Sequence, residues 1–117
     1  MKRVTPMHRL VPWILAAVLL GCGSPRRSEP LVGPLVARGD AKQGEAVFMQ
    51  HCHACHPGGE AGLGPALNNK PLPGWLIKAQ VHMGMGAMPS FSSQEIDPES
   101  LEALVAYLRA LRDHRGR

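Results

Sequence analysis

Cys52-His53-Ala54-Cys55-His56 is the stretch on which the reading of this chain turns. Two thiols about one helical turn apart, followed at once by an imidazole, gather three metal- or electrophile-seeking donors in a short segment. Several chemistries use such a set. A C-x-x-C pair serves as a redox dithiol, usually beside a βαβ pattern. It closes as a disulfide in an exported chain, although so small a loop adds little stability. It binds zinc when two imidazoles complete a tetrahedron, here two of His51, His53, His56 and His82. With a histidine directly after the second cysteine, C-x-x-C-H is also the attachment signal for c-type haem.

The physical logic of that last arrangement is compact. Thiols at this spacing reach two vinyl groups on one porphyrin edge and form thioethers, and the adjacent imidazole of His56 lies under the iron as proximal ligand. His53 occupies the variable position and is expected to be exposed and idle. The zinc alternative lacks a second spaced Cys/His pair, with His82 its one ligand from elsewhere in the domain. The dithiol alternative lacks strands, because no stretch alternates with period two.

Outward from the motif, the sequence predicts helices. Before it, Asp40-Ala41-Lys42-Gln43 fits a variant of the capping box, and Ala41, Val47, Phe48 and Met49 supply the apolar residues of a short helix ending near His51. Gly44 inside that helix costs about 1 kcal/mol relative to alanine, which points to a close backbone approach. After it, Asp97-Pro98 reads as an N-cap with proline at N1, and Glu99 suits the helix dipole. Leu101, Leu104, Val105, Leu108 and Leu111 form one apolar stripe, with Gly116 as its expected stop. A third, weaker helix is expected over residues 75–83. The fold class is therefore all-α.

With 117 residues the chain has room for one domain. Five aromatic residues, Trp13, Phe48, Trp75, Phe91 and Tyr107, are few for a stable core, and a buried porphyrin would supply apolar surface that the side chains do not. Three cysteines would leave one over in a pure disulfide framework. These counts exclude a multidomain enzyme, a coiled coil and a disulfide-dense scaffold.

Residues 1–21 read as an export signal: Lys2, Arg3 and Arg9 precede a run without charge over residues 10–21, too short to span a membrane as a helix. The run ends Leu19-Leu20-Gly21-Cys22, which resembles a bacterial lipoprotein signal and marks Cys22 as the expected lipidation site, with an ordinary cleaved signal and a retained anchor as the alternatives. Residues 22–37, with Pro25, Pro30 and Pro34, read as a linker, residues 38–112 as the folded domain and residues 113–117 as a basic tail. Three of the 13 basic residues and none of the 9 acidic ones lie in the signal, so its removal lowers the formal balance from +4 to +1. No basic patch with interleaved aromatics remains, and nucleic acid is not an expected partner.

In order along the chain stand Gly44 and Phe48 four residues apart on the first helix, Cys52 to His56, Gly64-Pro65, Met88-Pro89, and Tyr107 within the closing helix. By these features residues 38–112 resemble a class I monohaem cytochrome c. The resemblance implies N- and C-terminal helices packed around one haem c, covalently bound through Cys52 and Cys55. It implies iron held by His56 and Met88, with Met85 the runner-up and His82 a remote third. It further implies that the Pro65 carbonyl accepts the imidazole N–H of His56, that Gly44 and Phe48 pack across the terminal helix near Tyr107, and that Trp75 reaches a haem propionate.

With both axial positions filled, the expected function is electron transfer rather than catalysis, with no acid, base or nucleophile and no small-molecule substrate. The expected protein is exported and tethered by Cys22 to the extracytoplasmic side of a membrane. It cycles between ferric and ferrous iron, with redox proteins or membrane respiratory complexes as donor and acceptor. Two alternatives stay open: a haem-bearing electron-entry subunit of an oxidase or dehydrogenase, and a ligand-binding sensor or peroxidase with a labile Met88.

Overall fold

A computed structural model describes residues 35–115. The export signal, Cys22 and most of the linker lie outside the described residues, as does Gly116. Within them the elements are α1 (Asp40–His51), a 3-10 turn (Pro57–Gly59), α2 (Gly74–Met83) and α3 (Pro98–Arg115), with no strand among the described residues. The all-α expectation holds, and the weak helix near residue 75 begins one residue earlier than predicted.

The principal contact is α1 against α3. Gly44 makes it: a Cβ there would fall inside the backbone carbonyl of Ala103 and 2.9 Å from the Leu104 nitrogen. The glycine's helix-propensity penalty is thus exchanged for backbone-to-backbone packing. One turn further on, the Phe48 ring packs on Tyr107 with centroids 5.2 Å apart and planes tilted by 51°. Phe48, Val81, Ile96, Leu101, Leu104, Tyr107 and Leu111 form the buried cluster, and Leu108 packs at its margin. The stripe read from the sequence of α3 is therefore the core face.

The two helix starts differ. At α3 the reading was correct: the Asp97 carboxylate accepts the backbone N–H groups of Glu99 and Ser100, each at 3.0 Å, and the Ser100 hydroxyl at 2.7 Å. At α1 it was not. Gly39 is the N-cap, at φ 55°, and Asp40 is the first helical residue, so no side chain caps this end. A glycine can take the left-handed φ that turns the chain into the helix, and Asp40 then acts through the dipole alone. Leu35 and Ala37, expected in the linker, pack against the core, and α3 continues to Arg115, past residue 112.

α2 begins where Gly74 lies beside α3: a Cβ there would meet the Arg109 guanidinium at 2.8 Å and Val105 at 3.1 Å. Lys78 of α2 pairs with Glu102 of α3. Together α1 and α3 form the principal helix pair, and α2 packs against α3 through Gly74 and Lys78. No helix among the described residues is long and apolar enough to cross a membrane.

Candidate haem site

The C-x-x-C-H motif forms the exit from α1. The N–H groups of Cys52 and His53 both bond to the Phe48 carbonyl, at 2.8 and 2.9 Å, and His56 N–H bonds back to the Cys52 carbonyl at 2.9 Å. The chain therefore stays coiled through the motif, which keeps the two sulfurs about one turn apart. Cys52 and Cys55 are not joined in a disulfide; the first is half-buried against the core and the second is exposed. Burial, followed by the neighbouring charge of Cys55, pushes the Cys52 thiol up to about 11. A thiol so placed is protonated at neutral pH. That is the opposite of the depressed pKa a redox dithiol needs.

The imidazole of His56 is buried, with 7% of its surface exposed. Its Nδ1 lies 2.8 Å from the carbonyl oxygen of Pro65. A carbonyl only accepts, so Nδ1 carries the proton and Nε2 keeps a lone pair. The loop that brings Pro65 there is pinned by Gly64 N–H to the Cys55 carbonyl at 2.9 Å. Gly64 also leaves room for the ring: a Cβ would lie 2.8 Å from both His56 nitrogens.

His53 departs from expectation. It is half-buried, its Nδ1 accepts the Gly58 N–H at 3.1 Å, and its ring meets the edge of Phe48 with centroids 6.3 Å apart. The variable position of the motif therefore holds the 3-10 turn that follows it.

The methionines sit on the loop after α2. Met85 and Met88 bond to each other through both backbone groups, at 3.1 and 2.9 Å, around Gly86-Ala87, with Gly86 at φ 58°. That is the geometry of a two-residue hairpin turn with glycine at its first central position. Met88 is half-buried against the core, whereas Met85 is 69% exposed and Met83 73% exposed. The structure thus separates Met88 from its two neighbours by packing. His82 is exposed, and its Nδ1–H donates to the Phe91 carbonyl at 2.9 Å. Trp75, at the start of α2, is 67% exposed.

These residues fit a covalently held haem. Two cysteines stand on one coiled stretch of backbone at the motif's spacing, an imidazole keeps its Nε2 lone pair because its Nδ1 is engaged, and a half-buried methionine comes from a separate loop. No group of three or more His, Cys, Asp or Glu side chains suited to a metal ion occurs among the described residues, so no zinc set is assembled there.

Residues 39–108 match the family described as "Cytochrome C oxidase, cbb3-type, subunit III". The chain belongs to this family of c-type cytochrome domains, and is a monohaem electron-transfer protein carrying haem c and iron. Among its relatives is the cytochrome c subunit of 4-cresol dehydrogenase [hydroxylating] from Pseudomonas putida, 38% identical over 68% of this chain and 74% of the relative. Cytochrome c6 of Gloeothece citriformis (strain PCC 7424) is 36% identical over 87% of this chain and 93% of the relative. Dihydro-heme d1 dehydrogenase of Pseudomonas aeruginosa is 35% identical over 67% of this chain, which spans 17% of that longer protein. No solved structure gives a significant match.

Proposed function

We propose that this protein is a monohaem electron carrier tethered to the extracytoplasmic face of a membrane through lipid on Cys22, with Cys52 and Cys55 as the thioether residues and His56 and Met88 as the axial ligands. The observation that carries the ligand assignment is the His56–Pro65 hydrogen bond, which leaves Nε2 as the ring's metal-binding atom. The half-buried position of Met88 favours it over the exposed Met85. When bound, the haem supplies a one-electron iron couple whose potential a Met/His pair raises.

The chain's own part is to hold and tune. The Pro65 carbonyl fixes the ring plane of His56 and raises its basicity, which stabilises the oxidised metal. The α1–α3 crossing keeps the thiol-bearing turn rigid, so little rearranges when the charge at the site changes. No side chain in the site is placed as an acid, base or nucleophile, and two protein ligands leave no position for a substrate; the protein on this reading is not an enzyme. Trp75 stands exposed at the start of α2, able to hydrogen-bond a propionate through its indole N–H.

Export follows from residues 1–21 and the tether from Cys22. A lipid would confine the domain to the membrane surface and raise its effective concentration near membrane-bound partners. Replacing Cys22 with serine and fractionating cells tests the tether. The unsubstituted chain is expected in the membrane fraction and released only by detergent. A soluble wild-type chain would contradict it.

A second reading is favoured by the 38% identity to the cytochrome c subunit of 4-cresol dehydrogenase [hydroxylating]. The same domain would then be the fixed electron-acceptor subunit of a dehydrogenase. Stoichiometric co-purification with a larger enzyme distinguishes it from a free carrier. Carbon monoxide binding by the ferrous protein at neutral pH would instead favour a sensor or peroxidase with a labile Met88.

A further inference from the structure

We infer that His82 is a positioning residue for the Met88 loop, acting through the backbone of Phe91; the inference rests on Met88 as an axial ligand. The last turn of α2 grips Phe91 twice. Its N–H donates to the Val81 carbonyl at 2.9 Å, and its carbonyl accepts the Nδ1–H of His82 at 2.9 Å. The grip closes the segment 84–91 into a strap that leaves α2 at Gly84 and returns to it at Phe91, with Met88 between.

The rest of the strap is held by backbone and packing. Gly84 N–H bonds to the Gln80 carbonyl at 2.8 Å, and a Cβ on Gly84 would meet the Met88 carbonyl oxygen at 2.6 Å and the Ser90 nitrogen at 2.9 Å. The Met85–Met88 hairpin stiffens the tip. The Phe91 ring lies edge-on to His51, with centroids 5.6 Å apart, which ties the strap's return to the last residue of α1 before Cys52. His82 supplies a side-chain hydrogen bond to this system, and it links the two ends of the strap. It therefore connects the sixth-ligand loop to the helix framework without touching the iron.

The bond asks of residue 82 a donor where Nδ1 stands. Asparagine offers a side-chain amide N–H at nearly the same place; alanine offers none. Loss of one hydrogen bond of ordinary net strength weakens the closed strap about 3- to 10-fold. An exogenous ligand that competes with the sixth ligand binds in proportion to the fraction of open strap.

The test is an imidazole titration of the ferric holoprotein, full-length, for wild type, His82→Ala and His82→Asn, followed in the methionine-to-iron charge-transfer band. A His82→Leu variant serves equally if alanine lowers holoprotein yield. His82→Ala is expected to bind imidazole about 3- to 10-fold more tightly, and His82→Asn to return within twofold of wild type. Guanidinium unfolding of the same variants separates this from general loosening, since a merely structural role moves the unfolding midpoint and leaves imidazole affinity alone. Wild-type imidazole affinity in His82→Ala, while Met88→Ala still abolishes the band, would overturn the inference and leave the ligand assignment standing. A band that survives in Met88→Ala would overturn both.

Discussion

The Nδ1–H of His56 donates to the carbonyl oxygen of Pro65 across 2.8 Å, although the two lie nine positions apart in the chain. That bond fixes the tautomer, the ring plane and the basicity of the imidazole at once. It depends on Gly64, whose missing Cβ leaves the space the ring fills.

Gly64→Ala should therefore act on the site as well as on the fold. The new Cβ would lie 2.8 Å from both ring nitrogens, so either the ring or the 62–65 loop must shift. Overpacking of this kind costs about 1–3 kcal/mol. A weakened bond to Pro65 lowers imidazole basicity and so disfavours the oxidised metal. The expected result is a lower guanidinium midpoint together with a raised reduction potential, read by redox titration. Lower stability at an unchanged potential would show that the bond survives the substitution.

Gly44→Ala strikes the helix crossing instead. Its Cβ would overlap the Ala103 carbonyl, a backbone atom that can yield only if α1 and α3 separate. Helix propensity alone would predict a gain of about 1 kcal/mol. The packing term has the opposite sign and should win, for a net loss of about 1–2 kcal/mol. Denaturant unfolding of the holoprotein measures it; a stabilised variant would contradict the crossing.

Asp97 tests the start of α3 and carries a pH signature. Hydrogen bonds from the backbone N–H and hydroxyl of Ser100, with that of Glu99 N–H, hold its carboxyl below the usual carboxylate range. Glu95 is lowered in the same way by the backbone and hydroxyl of Ser92. A folded pKa below the unfolded one means the contribution is complete above the unfolded value and is lost as pH falls through the folded value. Asp97→Ala should lower the thermal midpoint at neutral pH. Asp97→Ser, which keeps an uncharged cap, should stay near wild type there and decline less steeply in acid. Parallel acid profiles for wild type and Asp97→Ser would show that the carboxylate's charge is not involved.

The three methionines on the loop should respond differently. Met88→Ala is expected to abolish the methionine-to-iron charge-transfer band and lower the potential. Met85→Ala and Met83→Ala, at positions 69% and 73% exposed, should leave both unchanged. Loss of the band on substituting Met85 would transfer the ligand role to it.

The legible parts of this fold were those whose cause is local. The C-x-x-C-H motif, the leucine stripe of α3 and the Asp97-Pro98 cap are each written within a few residues. Gly44 was readable as a close approach because a helical glycine needs a reason, although its partner Ala103 was not. What escaped the sequence depends on pairs distant along the chain or on a competition between neighbours. Gly39 displaced Asp40 as cap because a left-handed φ was wanted at the bend into α1. His53 gained an acceptor role because the 3-10 turn places the Gly58 N–H against it. The bond from His82 to Phe91 joins residues nine apart through a loop whose path no periodicity predicts.

The central claim is a haem covalently bound to Cys52 and Cys55 with His56 and Met88 as its axial ligands. Its most direct test is the visible spectrum of the purified chain, oxidised and then reduced, after expression in a host that matures c-type haem, with acid–acetone extraction alongside. Colour that stays with the polypeptide, sharp reduced bands and an oxidised methionine-to-iron band are the predicted result. A colourless chain with two free thiols, under conditions that mature a control cytochrome, would contradict it.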